Sequence, residues 1–269
     1  MTIRELCRFF LCVFFIQSSL SQAATYVVSS ALDSSTTGTL RWAITSANVN
    51  PGPDLITFNL TPPYVISPTN ALPKISDHNT HVDGGNNPPR VILDGSMAGS
   101  NVCLWVEAVT NVVIERIVIR NFADRAIYLQ NGTDSAVRGC HIYANLRGIE
   151  AGGQRIVIGG GEAGQGNVIY SNQFESVLLT GLASSNLEVK GNRIGTDTAG
   201  MIPYPGSSGL RVSGPKGGII GGTNATDRNI IMSTGAAVVL AGETRQFMIL
   251  GNYIGVAADG ITRLNPLTG

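Results

Sequence analysis

The chain has 269 residues, 13% of them charged and 43% hydrophobic, with 33 glycines and a formal net charge of zero. Balanced charge without any cluster of Lys or Arg argues against a nucleic-acid surface or a polybasic membrane patch. Few charges with abundant Gly, Asn, Ser, Thr, Val and Ile favour short strands and tight turns over long helices, and the length suffices for one sizeable core.

Residues 1–23 read as an export signal. Arg4 and Arg8 form a positive start, Phe9–Ile16 is a short apolar run, and Ser21-Gln22-Ala23 offers small residues around a cleavage point. Eight apolar residues fall short of a bilayer core of roughly 30 Å. No later run is longer, so no transmembrane segment is expected. The mature protein is expected to be secreted or at the cell surface, in the periplasm or outer membrane if the source is Gram-negative. Cys7 and Cys12 leave with the signal. The remaining Cys103 and Cys140 read as small buried hydrophobes rather than a disulfide scaffold, with their pairing left open.

Residues 24–70 are expected to form an N-terminal cap region. It opens on a strand, Thr25–Val28, and continues into the only helical pattern of the chain, Gly38–Val49, with Leu40, Ala43, Ile44 and Ala47 on one face. Asn50-Pro51-Gly52-Pro53 stops the helix, and Leu55–Leu60 reads as a strand. A helix here can cover the open apolar end of a stacked repeat, a cap that such proteins need for solubility.

Residues 71–269 alternate short β-branched runs with Gly, Asn and Asp turns. The runs are Val91–Leu93, Leu104–Val106, Val112–Ile119, Ile127–Leu129, Val177–Leu179, Leu187–Val189, Leu210–Val212, Val238–Leu240 and Met248–Leu250. Two phrases recur after about sixty residues. Val157–Ile169 (VIGGGEAGQGNVI) is echoed by Ile219–Ile231 (IIGGTNATDRNII), and Gly191–Gly195 (GNRIG) by Gly251–Gly255 (GNYIG). Within them lies a shorter period, an Asn two places before an Ile: Asn167/Ile169, Asn192/Ile194, Asn229/Ile231 and Asn252/Ile254. Cys140/Ile142 fits the same slot with Cys for Asn, and Ile119 fits without the Asn. These isoleucines are 23, 27, 25, 37 and 23 residues apart. A coil of this length carrying three short strands is the rung of a parallel β-helix, and the longest gap holds an inserted loop, Thr196–Ser208. The isoleucines are expected to stack into one aliphatic column, and the asparagines into an amide ladder at a bend.

The chain resembles secreted or surface right-handed parallel β-helix repeat proteins, the pectin-lyase-like set that includes polymorphic-outer-membrane-protein-like and NosD-like repeats. The resemblance rests on Gly38-Thr39-Leu40-Arg41-Trp42-Ala43-Ile44, Val91-Ile92-Leu93-Asp94-Gly95-Ser96, Gly191–Asp197 and Ile220-Gly221-Gly222-Thr223. It implies an all-β fold, a right-handed single-stranded parallel β-helix with a short N-terminal capping helix. It leaves activity open, because such folds host lyases, hydrolases, epimerases, adhesins and passive stalks.

A lyase of this fold would use a Lys or Arg base with calcium-binding carboxylates, and a hydrolase grouped carboxylates across a groove. Asp83 and Asp94 each precede Gly and read as turn residues. Asp197 does not recur, since Ala257 takes its place in the next unit. Arg116 and Arg120 alternate with Ile117 and Ile119 and are expected on an outward, solvated face. His78 and His81 form a loop His-x-x-His near Asp77 and Asp83, a metal pattern lacking a third ligand fixed by spacing. His141 sits beside a core position. No catalytic, cofactor-binding or metal residue is therefore assigned. The expected function is a non-catalytic, exported module with a structural, adhesive or binding face toward a polysaccharide or cell-surface protein. The alternative is a polysaccharide lyase or glycoside hydrolase, which two facing carboxylates on one exposed sheet would favour. The chain stops where the next strand should begin, so missing rungs or a partner are expected at that end.

Overall fold

A computed structural model describes residues 22–85 and 90–265; of the expected export signal only Gln22 and Ala23 fall within them. Apart from two isolated antiparallel bridges in loops, every strand pairing among these residues is parallel, and the strands collect on three faces of one solenoid. Sheet A holds Ala24–Val28, Asp54–Phe58, His81–Asp83, Val113–Glu115, Ala136–Arg138, Val157–Gly159, Ser185–Lys190, Lys216–Gly221 and Arg245–Leu250. Sheet B holds Val65–Ile66, Ile92–Asp94, Val118–Arg120, His141–Tyr143, Val168–Tyr170, Arg193–Ile194, Ile230–Ile231 and Tyr253–Ile254. Sheet C holds Leu104–Glu107, Arg125–Thr133, Arg147–Gln154, Glu175–Thr180, Ser208–Ser213 and Val238–Ala241. The chain visits A, then B, then C, and returns to A one level higher.

The expected isoleucine column is the inner spine of sheet B. Ile119, Ile142, Ile169, Ile194, Ile231 and Ile254 are consecutive register partners, preceded by Ile66 and Leu93. Sheet A contributes Ile56, Val82, Ile114, Val137, Ile158, Val189 and Ile220 in the same way. All but the terminal Ile254 are buried, and each such side chain contributes roughly 1.5–3 kcal/mol through burial. In the last coil Leu240, Ile249 and Ile254 remain 48%, 40% and 46% exposed.

The asparagine ladder stands inside the corner between sheets A and B. Nδ2 of Asn167, Asn192 and Asn229 donates to Oδ1 of the next member at 2.9, 3.0 and 2.8 Å. The same Oδ1 atoms accept the backbone N–H of the preceding rung at 3.0, 2.9 and 3.2 Å. Cys140 heads the ladder and donates its N–H to Asn167 Oδ1 at 2.9 Å. A second ladder, absent from the sequence reading, lines the B–C corner: Asn145 Nδ2 and N–H both donate to Asn172 Oδ1, at 3.1 and 3.0 Å. Cys103 and Cys140 are buried and free; burial pushes the Cys140 thiol up to about 12.

The helix spans Leu40–Val49. Thr39 caps it by accepting the Trp42 N–H, and Leu40, Ala43, Ile44 and Ala47 are its buried residues. It covers the first coil, where Asn48 donates to Lys74 O and accepts from Ser76 N. The run Val112–Ile119 is not one strand. Arg116 turns it with a φ of 60°, so Val113–Glu115 lies on sheet A and Val118–Arg120 on sheet B. The inserted Thr196–Ser208 begins as a hairpin closed by Thr196 and Pro203, and Val256 and Arg263 close its counterpart one rung later. Asp197 accepts the Met201 and Ile202 N–H groups. Asp259, not Ala257, does this work in the second copy, accepting from Ile261 and Thr262.

Candidate functional site

The outward side of sheet C gathers residues that are far apart in sequence. Register places Trp105, Tyr128, Glu150, Leu178 and Arg211 in one column, with Glu107 and Gln130 in the next. The Trp105 and Tyr128 rings lie 5.5 Å apart at 39°. Lys74 Nζ sits 3.8 Å from the Trp105 ring centroid and 2.7 Å from Glu107 Oε1. Trp105 Nε1 donates to Gln130 Oε1 at 3.1 Å. Arg125 stands 4.9 Å from the Tyr128 ring and reaches Glu150 Oε2 at 2.5 Å. An aromatic strip is thereby fixed within a frame of donors and acceptors. One end of such rings is apolar and the other wet, the property that suits Trp and Tyr to amphipathic ligands.

The carboxylates of this sheet are already engaged: Glu107 with Lys74, Glu150 with Arg125, and Glu175 with Arg147 at 2.8 Å. Burial raises the Glu175 carboxyl, but hydrogen bonds and charge, chiefly from Arg147, hold it below the usual range. A general acid needs the opposite displacement. Asp77 does move upward, through burial and then the Asp54 charge, but it lies beside the cap and not on sheet C.

Sheet A carries the cluster nearest to a metal centre. Ligand atoms of His81, Asp83 and Glu115 lie within 4.8 Å of one another. The expected His-x-x-His pair is split, because His78 Nδ1 engages Thr110 Oγ1 at 2.8 Å while His81 Nε2 meets Glu115 Oε1 at 2.9 Å. Arg116 bridges the two carboxylates, at 2.7 Å to Asp83 Oδ2 and 2.6 Å to Glu115 Oε1. Its guanidinium fills the place a cation would take, so the donor set fits a metal poorly. Burial raises the Asp83 carboxyl, but Arg116 and the Gly85 N–H hold it low. Asp83 and Asp94 do make their turns, accepting from Gly85 and Ser96 N–H. Arg116 and Arg120 are outward as expected, yet each is ion-paired rather than merely solvated.

Sheet B bears a stack of Tyr143 and Tyr170, 4.9 Å apart and nearly parallel. Beside it His141 faces outward but is largely covered; burial, then the Arg90 charge, pulls its pKa down to about 4. Trp105, Tyr128, Lys74, Arg125 and Glu150 escaped the sequence reading. Their spacing follows coil length and carries no repeated residue type.

The sequence model of the family described as right handed beta helix region matches residues 96–254, more than half of the chain. The chain belongs to that family, and its solenoid is a right-handed parallel β-helix. No curated protein sequence matches it. Among solved structures it is similar to the 1.7 Å crystal structure of jun a 1, the major allergen from cedar pollen. The two are 14% identical, the match covers 91% of this chain and 82% of that one, and the TM-score is 0.49. Among the described residues no helix is long and apolar enough to cross a membrane.

Proposed function

We propose that this protein is an exported, non-catalytic β-helix that binds carbohydrate along sheet C. The observation that carries the reading is the Trp105–Tyr128 strip with its hydrogen-bonding frame of Lys74, Glu107, Arg125, Gln130 and Glu150. Sugar rings offer an apolar face to aromatic rings and hydroxyls to such a frame. The paired carboxylates support binding over turnover. Export is supported by Arg4, Arg8 and the short run Phe9–Ile16; secreted material is expected to begin near Ala24 on N-terminal sequencing.

Affinity electrophoresis and calorimetry against a panel of polysaccharides test the binding. At least one glycan should bind, and Trp105→Ala or Tyr128→Ala should weaken it by roughly ten-fold, the order expected for losing one stacked ring. Unchanged affinity in both variants would sink the reading. A lyase or hydrolase is the second reading, favoured by Asp83 and Glu115 facing each other beside Arg116. Depolymerisation of any glycan, abolished by Glu115→Gln, would select it.

A further inference from the structure

The doubled glycine phrase does more than turn corners. Its two loops, 159–166 and 221–228, project at the A–B corner and wall a cleft of about 540 Å³ over the outward side of sheet B. The cleft is lined by Arg90, His141, Arg193, Arg228, Thr226 and the single acid Glu162. The protein as a whole balances 18 basic against 18 acidic residues. Most outward arginines of the sheets are neutralised: Arg116, Arg120, Arg125, Arg147 and Arg155 each meet a carboxylate. Among the described residues Arg90, Arg193 and Arg228 meet none; neither do Arg138, Arg211 and Arg263, but only the first three share this cleft.

What these three do meet leaves them underused. Arg90 gives one N–H to Gly139 O at 2.5 Å, and Arg228 gives Nε–H to Gly251 O at 2.8 Å while lying 4.0 Å from the Tyr253 ring. The Arg193 Nε is buried with no partner. That atom is shielded beneath the Gly200 turn, so a ligand in the cleft meets Arg193 through its terminal nitrogens, to which the described residues supply no acceptor. His141, Val168 and Arg193 occupy successive rungs of one column. Two rung spacings of ~4.8 Å put His141 and Arg193 about 10 Å apart; Arg90, whose charge acts on the neutral His141, and Arg193 therefore spread the positive charge along the cleft.

We infer that this cleft binds an elongated ligand bearing at least two oxyanion groups (carboxylate, sulfate or phosphate), with Arg90 and His141 toward one end and Arg193 and Arg228 toward the other. Guanidinium forks match the paired oxygens of such groups, and charge-assisted bonds of this kind are roughly twice as strong as neutral ones. The site is separate from the aromatic strip of sheet C and does not depend on the reading given to it.

Calorimetry on the full chain at low salt tests the inference. The probes are inorganic sulfate, inorganic phosphate, a sulfated oligosaccharide, a carboxylated oligosaccharide and a neutral dextran oligosaccharide. The double variant Arg193→Gln/Arg228→Gln is compared with Lys216→Gln/Arg245→Gln, which removes two bases on sheet A outside both the cleft and sheet C. At least one anionic probe should bind, with affinity falling roughly ten-fold or more in the cleft variant and changing less than about two-fold in the control. The oligosaccharides should bind more tightly than inorganic sulfate or phosphate, and the better of the two identifies the anionic group. If the double variant loses thermal stability, Arg228→Gln alone, on the surface loop, gives the comparison. Failure of every anion to bind, inorganic anions binding as tightly as the oligosaccharides, equal losses in the two double variants, or dextran binding the Trp105→Ala protein as tightly as the anionic oligosaccharides do would overturn it. Trp105→Ala should leave anion binding intact, so the two sites fail independently.

Discussion

Replacing Asn192 with Leu tests whether the amide ladder holds the coils together. Asn192 is fully buried. Its Oδ1 accepts Asn167 N–H at 3.0 Å and Asn167 Nδ2 at 2.9 Å, and its Nδ2 donates to Asn229 Oδ1, Ile158 O and Lys190 O. Leu has nearly the same shape, so little cavity forms. The backbone N–H of Asn167 is left with no acceptor, at a cost of about 1–3 kcal/mol for an orphaned buried donor. Asn167 Nδ2 keeps Val137 O, and Lys190 O keeps the Gly160 N–H, so those losses are partial. At about 0.5–1.5 kcal/mol for each of the four other bonds, less about 1 kcal/mol gained by burying Leu, the net destabilisation is about 2–8 kcal/mol, toward the lower end because of the partners that are kept. Guanidinium unfolding followed by circular dichroism reads the total. Hydrogen exchange at the Asn167 amide reads the site itself, and its protection should collapse first. A loss below about 1 kcal/mol, or an Asn167 amide as protected as before, would refute the view that the ladder is energetically significant.

Three further perturbations follow from the same geometry. Cys140→Asn should extend the ladder by one member, since the thiol already points at Ile114 O and Arg138 O; a gain of about 0.5–1.5 kcal/mol in the same unfolding assay is expected, and a loss would show the slot too small. His141 has its pKa pulled down from 6.5 to about 4 by burial and then by Arg90. Between those pH values the unfolded chain binds the extra proton, so stability should fall as pH drops from about 6.5 to about 4, by up to roughly 3 kcal/mol. His141→Gln should flatten that part of the profile, and an unchanged slope would remove His141 as its source. Arg116→Gln takes the guanidinium from between Asp83 and Glu115 and should let the cluster bind a divalent cation with His81, measured by zinc calorimetry against wild type. Identical titrations would show that Arg116 was not the obstacle.

The inner face of the solenoid was legible because it repeats. One Ile per coil and one Asn two places earlier define a period, and the period survives a 37-residue coil because insertions go to the corners. The second ladder has its own signal in the sequence, an Ile-Tyr-x-Asn shared by Ile142-Tyr143-Ala144-Asn145 and Ile169-Tyr170-Ser171-Asn172. Arg147–Gln154 was hidden by its glycines, which ordinarily weaken a strand. A Cβ at Gly148 would stand 2.2 Å from Ser176 O, so the close approach of the next coil demands the residue that conceals the strand. The corner at Arg116 left no residue-type signal, because arginine seldom adopts positive φ. The outward faces were illegible for a deeper reason. Trp105 meets Tyr128, and Glu150 meets Arg125, only through register across coils of unequal length. Nothing in the pattern of one coil predicts its neighbour's surface.

The repeated phrase also bears on how such a protein can acquire a groove. A unit of two coils, copied once, carries its corner loop with it, and the copy lands directly above the original because the inner column and the ladder dictate where it sits. The loops at 159–166 and 221–228 thereby line the same cleft, and the hairpins after Thr196 and Val256 join where Ala258 N–H donates to Gly200 O at 2.9 Å. Duplication in a solenoid therefore lengthens a furrow in whole steps of two rungs, roughly 10 Å at a time. The reach of the surface is set by counting copies, and single substitutions need only decorate it.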